Sequence, residues 1–132
     1  MRYALALLLL ACAGRQSLTD CTGVAGWSET GQGPPGLAVV VSVVRTVAPN
    51  LPSCGVVAWQ PGPFDCTGDG KPDCSGQREA VMGPPRLDVV TAARIEQTAL
   101  IHEMGHLVGY ADGAAMDAWV AARTAEVTAR LP

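Results

Sequence analysis

Glycine and proline limit what this chain can become, because fifteen glycines and ten prolines are spread through 132 residues. Much of it must be turn and loop around a small regular core. There is room for one domain, and 48% hydrophobic residues suffice to fill a single core. A loop-rich domain of this size needs covalent or metal staples. Nine basic against twelve acidic side chains give a net charge of -3 without any run of Lys or Arg, which excludes nucleic acid as a natural partner.

Met1, Arg2 and Tyr3 bring one positive charge, and residues 4–11 are an unbroken run of small and apolar side chains ending at Cys12. The run is too short to span a bilayer as a helix, and its layout is that of a secretory signal. Leu9, Leu10, Ala11 and Cys12 also resemble a bacterial lipobox, in which the cysteine is acylated and becomes the new N-terminus. The rival cut, at Ala11-Cys12-Ala13, releases a soluble secreted protein. Either way the protein is exported, and it meets a membrane only through an N-terminal lipid. Residues 1–12 are therefore read as a signal segment, 13–36 as a tether with little regular structure, and 37–132 as the functional domain, acting as a monomer. Setting Cys12 aside leaves Cys21, Cys54, Cys66 and Cys74, an even set suited to two disulfides. Proximity favours Cys21 with Cys54 and Cys66 with Cys74.

Residues 37–44 are dense in valine without alternation, which suits a strand buried on both faces; a short buried helix is the other reading of that pattern. Residues 54–60 form a second strand candidate, and 79–82 a short edge strand. Between them, counting Asp65 as position one, oxygen side chains fall at one, three, five and nine (Asp65, Thr67, Asp69, Asp73) with glycine at six, as in calcium loops. The segment resembles the calcium loops of thrombospondin type 3 repeats. However, Gly76 stands at position twelve, where a bidentate Glu belongs, and a solvated acidic turn closed by a disulfide explains the same residues. From Asp88, read as an N-cap, apolar residues recur at threes and fours with neither Gly nor Pro up to 104, predicting a helix over 88–104. Residues 114–130 predict a second helix.

His102 and His106 are the only histidines of the chain. One helical turn apart, their imidazoles share a face and can reach one metal ion, with Glu103 beside them. A catalytic zinc takes three protein ligands and keeps one open position. Gly109 follows three residues after His106, where a turn through positive φ swings Asp112 back toward the metal. Glu126, twenty residues after His106, is a competing third ligand in the manner of thermolysin-like gluzincins, but it leaves Gly109 without a role.

The string His102-Glu103-x-x-His106-x-x-Gly109-x-x-Asp112 resembles the zinc signature of the metzincin metallopeptidases. Aspartate at its end is the variant of the snapalysin-like small secreted bacterial proteases. The resemblance covers about residues 98–116. It implies an α+β fold: a small twisted mixed sheet whose edge strand aligns a protein or peptide substrate, packed on an active-site helix, with a C-terminal helix. It further implies Zn2+ held by His102, His106 and Asp112, Glu103 as general base, and a methionine turn for which Met116 is the only candidate. Only four residues separate Met116 from Asp112, which suits an ordinary helix contact better. The reading from another class is a non-catalytic surface lipoprotein with a structural zinc and a Ca2+-binding loop.

Overall fold

The computed structural model describes residues 19–79 and 82–132; the signal segment, Cys12 and the first part of the expected tether lie outside the described residues. Four strands form one mixed sheet: β1 (Gly26–Thr30), β2 (Cys54–Gln60), β3 (Gly76–Glu79) and β4 (Arg86–Val90). Their order across the sheet is β1-β2-β4-β3, with β1, β2 and β4 parallel and β3 antiparallel on the edge. Helices α1 (Leu37–Val47), α2 (Leu100–Leu107) and α3 (Ala114–Arg130) complete an α+β fold.

The two layers meet in one apolar core. Val57 and Trp59 of β2 and Leu87 and Val89 of β4 alternate onto one face of the sheet, where they meet Val40 and Val44 of α1, Ile101 and Met104 of α2, and Met116 and Val127 of α3. Cys21 and Cys54 form one disulfide and Cys66 and Cys74 the other. The first ties the segment before β1 to the start of β2.

Three expectations fail, each for a physical reason, and a fourth shifts its bounds. The valine run is helix α1, not a strand. Leu37, Val40 and Val44 are buried at helical spacing, so the burial of an apolar stripe outweighs the weak β preference of valine, which costs only a few tenths of a kcal/mol per residue in a helix.

The tether contains a strand: β1 lies within 13–36, its conformation supplied by register with β2, where Trp27 lies opposite Gly55. A β-carbon at Gly55 would overlap the Trp27 ring.

The continuous helix over 88–104 is instead the end of β4, a 3-10 turn (Ile95–Gln97) and α2. Asp88 is no N-cap. It is buried in the sheet, where its carboxylate accepts hydrogen bonds from Gln60 Nε2 at 3.0 Å and from the Arg86 guanidinium. The edge strand begins earlier than the expected 79–82 and shares only Glu79 with it among the described residues.

Candidate metal centre

Helix α2 carries both histidines. It starts just after Thr98, whose hydroxyl accepts the Leu100 N–H at 3.2 Å, and buries Leu100, Ile101 and Met104 against the core. That anchoring leaves His102 and His106 on the outward side, with ring centroids 4.9 Å apart and ring planes at 81°.

The helix ends at Gly109 with φ 116. The Tyr110 N–H reaches back to the Gly105 carbonyl at 2.9 Å and the Gly109 N–H to the His106 carbonyl at 3.2 Å, the paired bonds of a Schellman turn. Asn50, from the loop after α1, donates its Nδ2–H to the Val108 carbonyl at 3.0 Å and satisfies another free helix-end acceptor. The reversal brings Asp112 Oδ1 to 3.0 Å from His102 Nε2 and 3.2 Å from His106 Nε2. Ligand atoms about 2.0–2.1 Å from a tetrahedral ion are about 3.3 Å apart, so the two separations from Asp112 Oδ1 are close to those such an ion requires, and all three donors lie within 4.8 Å of one another.

The hydrogen bonding supplies a second test of fit. A carbonyl can only accept, so the 2.9 Å bond between His106 Nδ1 and the Tyr110 carbonyl fixes the proton on Nδ1. In the neutral ring Nε2 then presents a lone pair to a carboxylate oxygen. Two acceptors at that separation are reconciled by a cation between them, either a metal ion or a second proton on the ring. Among the described residues, His102, His106 and Asp112 are the one group of three or more His, Cys, Asp or Glu side chains whose donor atoms converge, all within 4.8 Å of one another. The Asp112 side chain is 79% exposed, so the group opens to solvent and to any bound molecule.

Glu103 is buried, at 6% exposure. Edge strand β3 passes directly over it: a β-carbon at Gly76 would lie 2.9 Å from Glu103 Cγ and 3.1 Å from Oε1. Burial pushes the Glu103 carboxyl above its ordinary range; His106, His102 and Arg78 pull it down and Asp112 adds to the rise. Beneath the helix, Met116 is fully buried in the first turn of α3, and a β-carbon at Gly105 would overlap its sulfur. Met116 is thus a helix contact under the histidine-bearing segment and lies in no separate turn.

Other candidates fall elsewhere. Glu126 pairs with Arg123 at 2.9 Å and is not part of the converging group. In the acidic loop, Asp65 Oδ1 accepts the Thr67 and Gly68 N–H groups and Oδ2 accepts that of Gly70, and the Gly70 bond leads in holding its carboxyl below the ordinary range. Asp69 accepts the Lys71 N–H at 2.9 Å. These bonds shape a turn, and Asp65, Asp69 and Asp73 do not assemble into a ligand group.

Sequence reading missed Asn50, Gly76 and the Tyr110 carbonyl. Asn50 and Gly76 arrive through tertiary packing, and the carbonyl belongs to a backbone whose identity carries no signal. The Tyr110 ring stacks on Trp119 with centroids 5.3 Å apart. Comparison with family models, with curated proteins and with solved structures finds no match to this chain, so the case for its function is made by the site's own residues.

Proposed function

We propose that the chain is an exported zinc-dependent endopeptidase of the metzincin type, hydrolysing peptide bonds of extracellular or envelope proteins. The observation that carries this reading is the convergence of His102, His106 and Asp112, with the Asp112 oxygen 3.0 and 3.2 Å from the two imidazole nitrogens, next to a buried carboxylate that is not itself one of the three. When bound, zinc supplies Lewis acidity that polarises a carbonyl and acidifies water. Ferrous iron also uses two histidines and a carboxylate, but the neighbouring base Glu103 favours hydrolysis.

Glu103 takes a proton from the attacking water at a carboxylate oxygen and passes it to the departing amine. Its burial supports that role, because a carboxylate whose proton affinity is raised accepts a proton more readily. His106 is oriented through Nδ1 by the Tyr110 carbonyl. Among the described residues the outer edge of β3 has no strand partner, and along it an extended peptide can add as a further strand. Two disulfides suit an oxidising compartment. No helix of the described residues is long and apolar enough to cross a membrane.

The decisive experiment combines metal analysis with cleavage of casein or a quenched peptide by the purified chain and its Glu103→Ala variant. The reading requires about one equivalent of zinc in both and chelator-sensitive cleavage by the first alone. Full zinc occupancy with no cleavage by either supports the non-catalytic lipoprotein instead.

A further inference from the structure

Edge strand β3 carries a cation whose position the metal chemistry does not explain. Side chains alternate along a strand, so Gly76 and Arg78 share one face. That face looks toward α2, since the β-carbon position of Gly76 meets Glu103. The register agrees: Gly76 lies opposite Val89 and Arg78 opposite Leu87, both buried in the core. Arg78 is exposed and makes no ion pair among the described residues. Its neighbour Glu79 is on the other face, held by Arg86, which also binds Asp88. The acids nearest in the sheet are therefore engaged elsewhere. Arg78 therefore shares the face of β3 that is turned toward α2 and Glu103.

We infer that Arg78 is a specificity-determining residue that selects extended peptides bearing an acidic side chain on the amino-terminal side of the scissile bond. The inference rests on the peptidase reading for the word scissile, while recognition itself needs only the strand and the cation. A peptide added antiparallel to β3 runs opposite to it, so residues facing Arg78 precede those facing Gly76 by two positions, about 7 Å along the strand. The side chain facing Arg78 is thus two or three residues ahead of the bond held over Glu103. Guanidinium binds carboxylate through paired, charge-assisted hydrogen bonds.

The test uses the zinc-loaded Glu103→Gln chain and a neutral ten-residue peptide in which Glu, Gln or Lys is walked through every position. Fluorescence anisotropy is expected to give the best Glu peptide about a tenfold lower Kd than its Gln counterpart, an advantage that shrinks with added salt. Arg78→Gln removes the difference, and Arg78→Glu transfers the preference to Lys. Equal binding of Glu and Gln peptides, or a preference that survives Arg78→Gln, overturns the inference. The unmutated chain is then given the same peptides. Acid preference in binding without cleavage defeats the peptidase reading and leaves recognition by Arg78 standing. Cleavage without acid preference does the reverse, and cuts mapped to the amino-terminal side of the acid overturn the stated orientation.

Discussion

His106 and Tyr110 are joined by a bond from a ring N–H to a backbone carbonyl, 2.9 Å long, and this bond decides which nitrogen faces Asp112. The carbonyl is where it is because the chain reverses at Gly109, with φ 116 and nothing within 4 Å of a β-carbon placed there. Gly109→Ala therefore acts through backbone strain alone. We expect it to lower stability by about 1–2 kcal/mol and zinc affinity by about 10- to 100-fold, read by urea denaturation and competitive metal titration. Unchanged affinity would show that Asp112 does not need this turn.

Exchanging the third ligand tests its charge. A carboxylate gives more negative charge to the metal than an imidazole, leaving water at the site a weaker acid. In Asp112→His, if zinc is retained, the acidic limb of the kcat/KM profile is expected to move to lower pH. Parallel pH-rate profiles with superimposable limbs would contradict this.

Gly105 poses a contest of signs. Alanine in a helix interior is favoured over glycine by about 1 kcal/mol, yet its β-carbon would run into the fully buried Met116, and overpacking costs about 1–3 kcal/mol. Gly105→Ala should be net destabilising, and its penalty should shrink when combined with Met116→Ala. A double-mutant cycle showing coupling below about 0.5 kcal/mol would remove the contact from the account.

The disulfides should differ in worth. Cys21 and Cys54 are 33 residues apart and Cys66 and Cys74 only 8. Chain-entropy arithmetic gives about 3.7 and about 2.5 kcal/mol respectively. Paired Cys→Ala replacements, compared by urea midpoints, are expected to follow that order.

Glu79 links stability to pH. Hydrogen bonding to the Asp88 carboxyl, then burial and the Asp88 charge, raise its proton affinity above the ordinary value of 4.5, against the opposing pull of Arg86. A raised carboxyl contributes stability that is complete below 4.5 and lost as pH climbs through the raised value. Relative to Glu79→Gln, the parent protein should lose melting temperature as pH rises from about 4 toward neutrality. A constant difference across that range would refute the linkage.

The site was legible because its spacing is local: two histidines a turn apart and a glycine where the helix must stop speak through three or four residues at a time. The C-terminal helix and strand β2 were legible too, since alanine-rich composition and valines bounded by prolines point one way. The region 88–104 misled because freedom from glycine and proline is compatible with either structure. Its start, with the two residues just before it, already held the two-residue period of Leu87 and Val89 against Arg86 and Asp88. Strand β1 was hidden because Gly26, Ser28, Glu29 and Thr30 have no apolar pattern, and only pairing with β2 makes them extended. In α1 the helical stripe was present, but the abundance of valine masked it.

The donors of the converging group all come from a single span, with His102 and Asp112 ten residues apart. An ion held there would close a ring nearly as small as that of Cys66 and Cys74, and cross-linking so short a span restrains the unfolded chain less than a longer bridge does. As a restraint on the unfolded chain, metal loading should accordingly do less than the bridge between Cys21 and Cys54. Division of labour of this kind would let such a site exchange an ion without unravelling the fold.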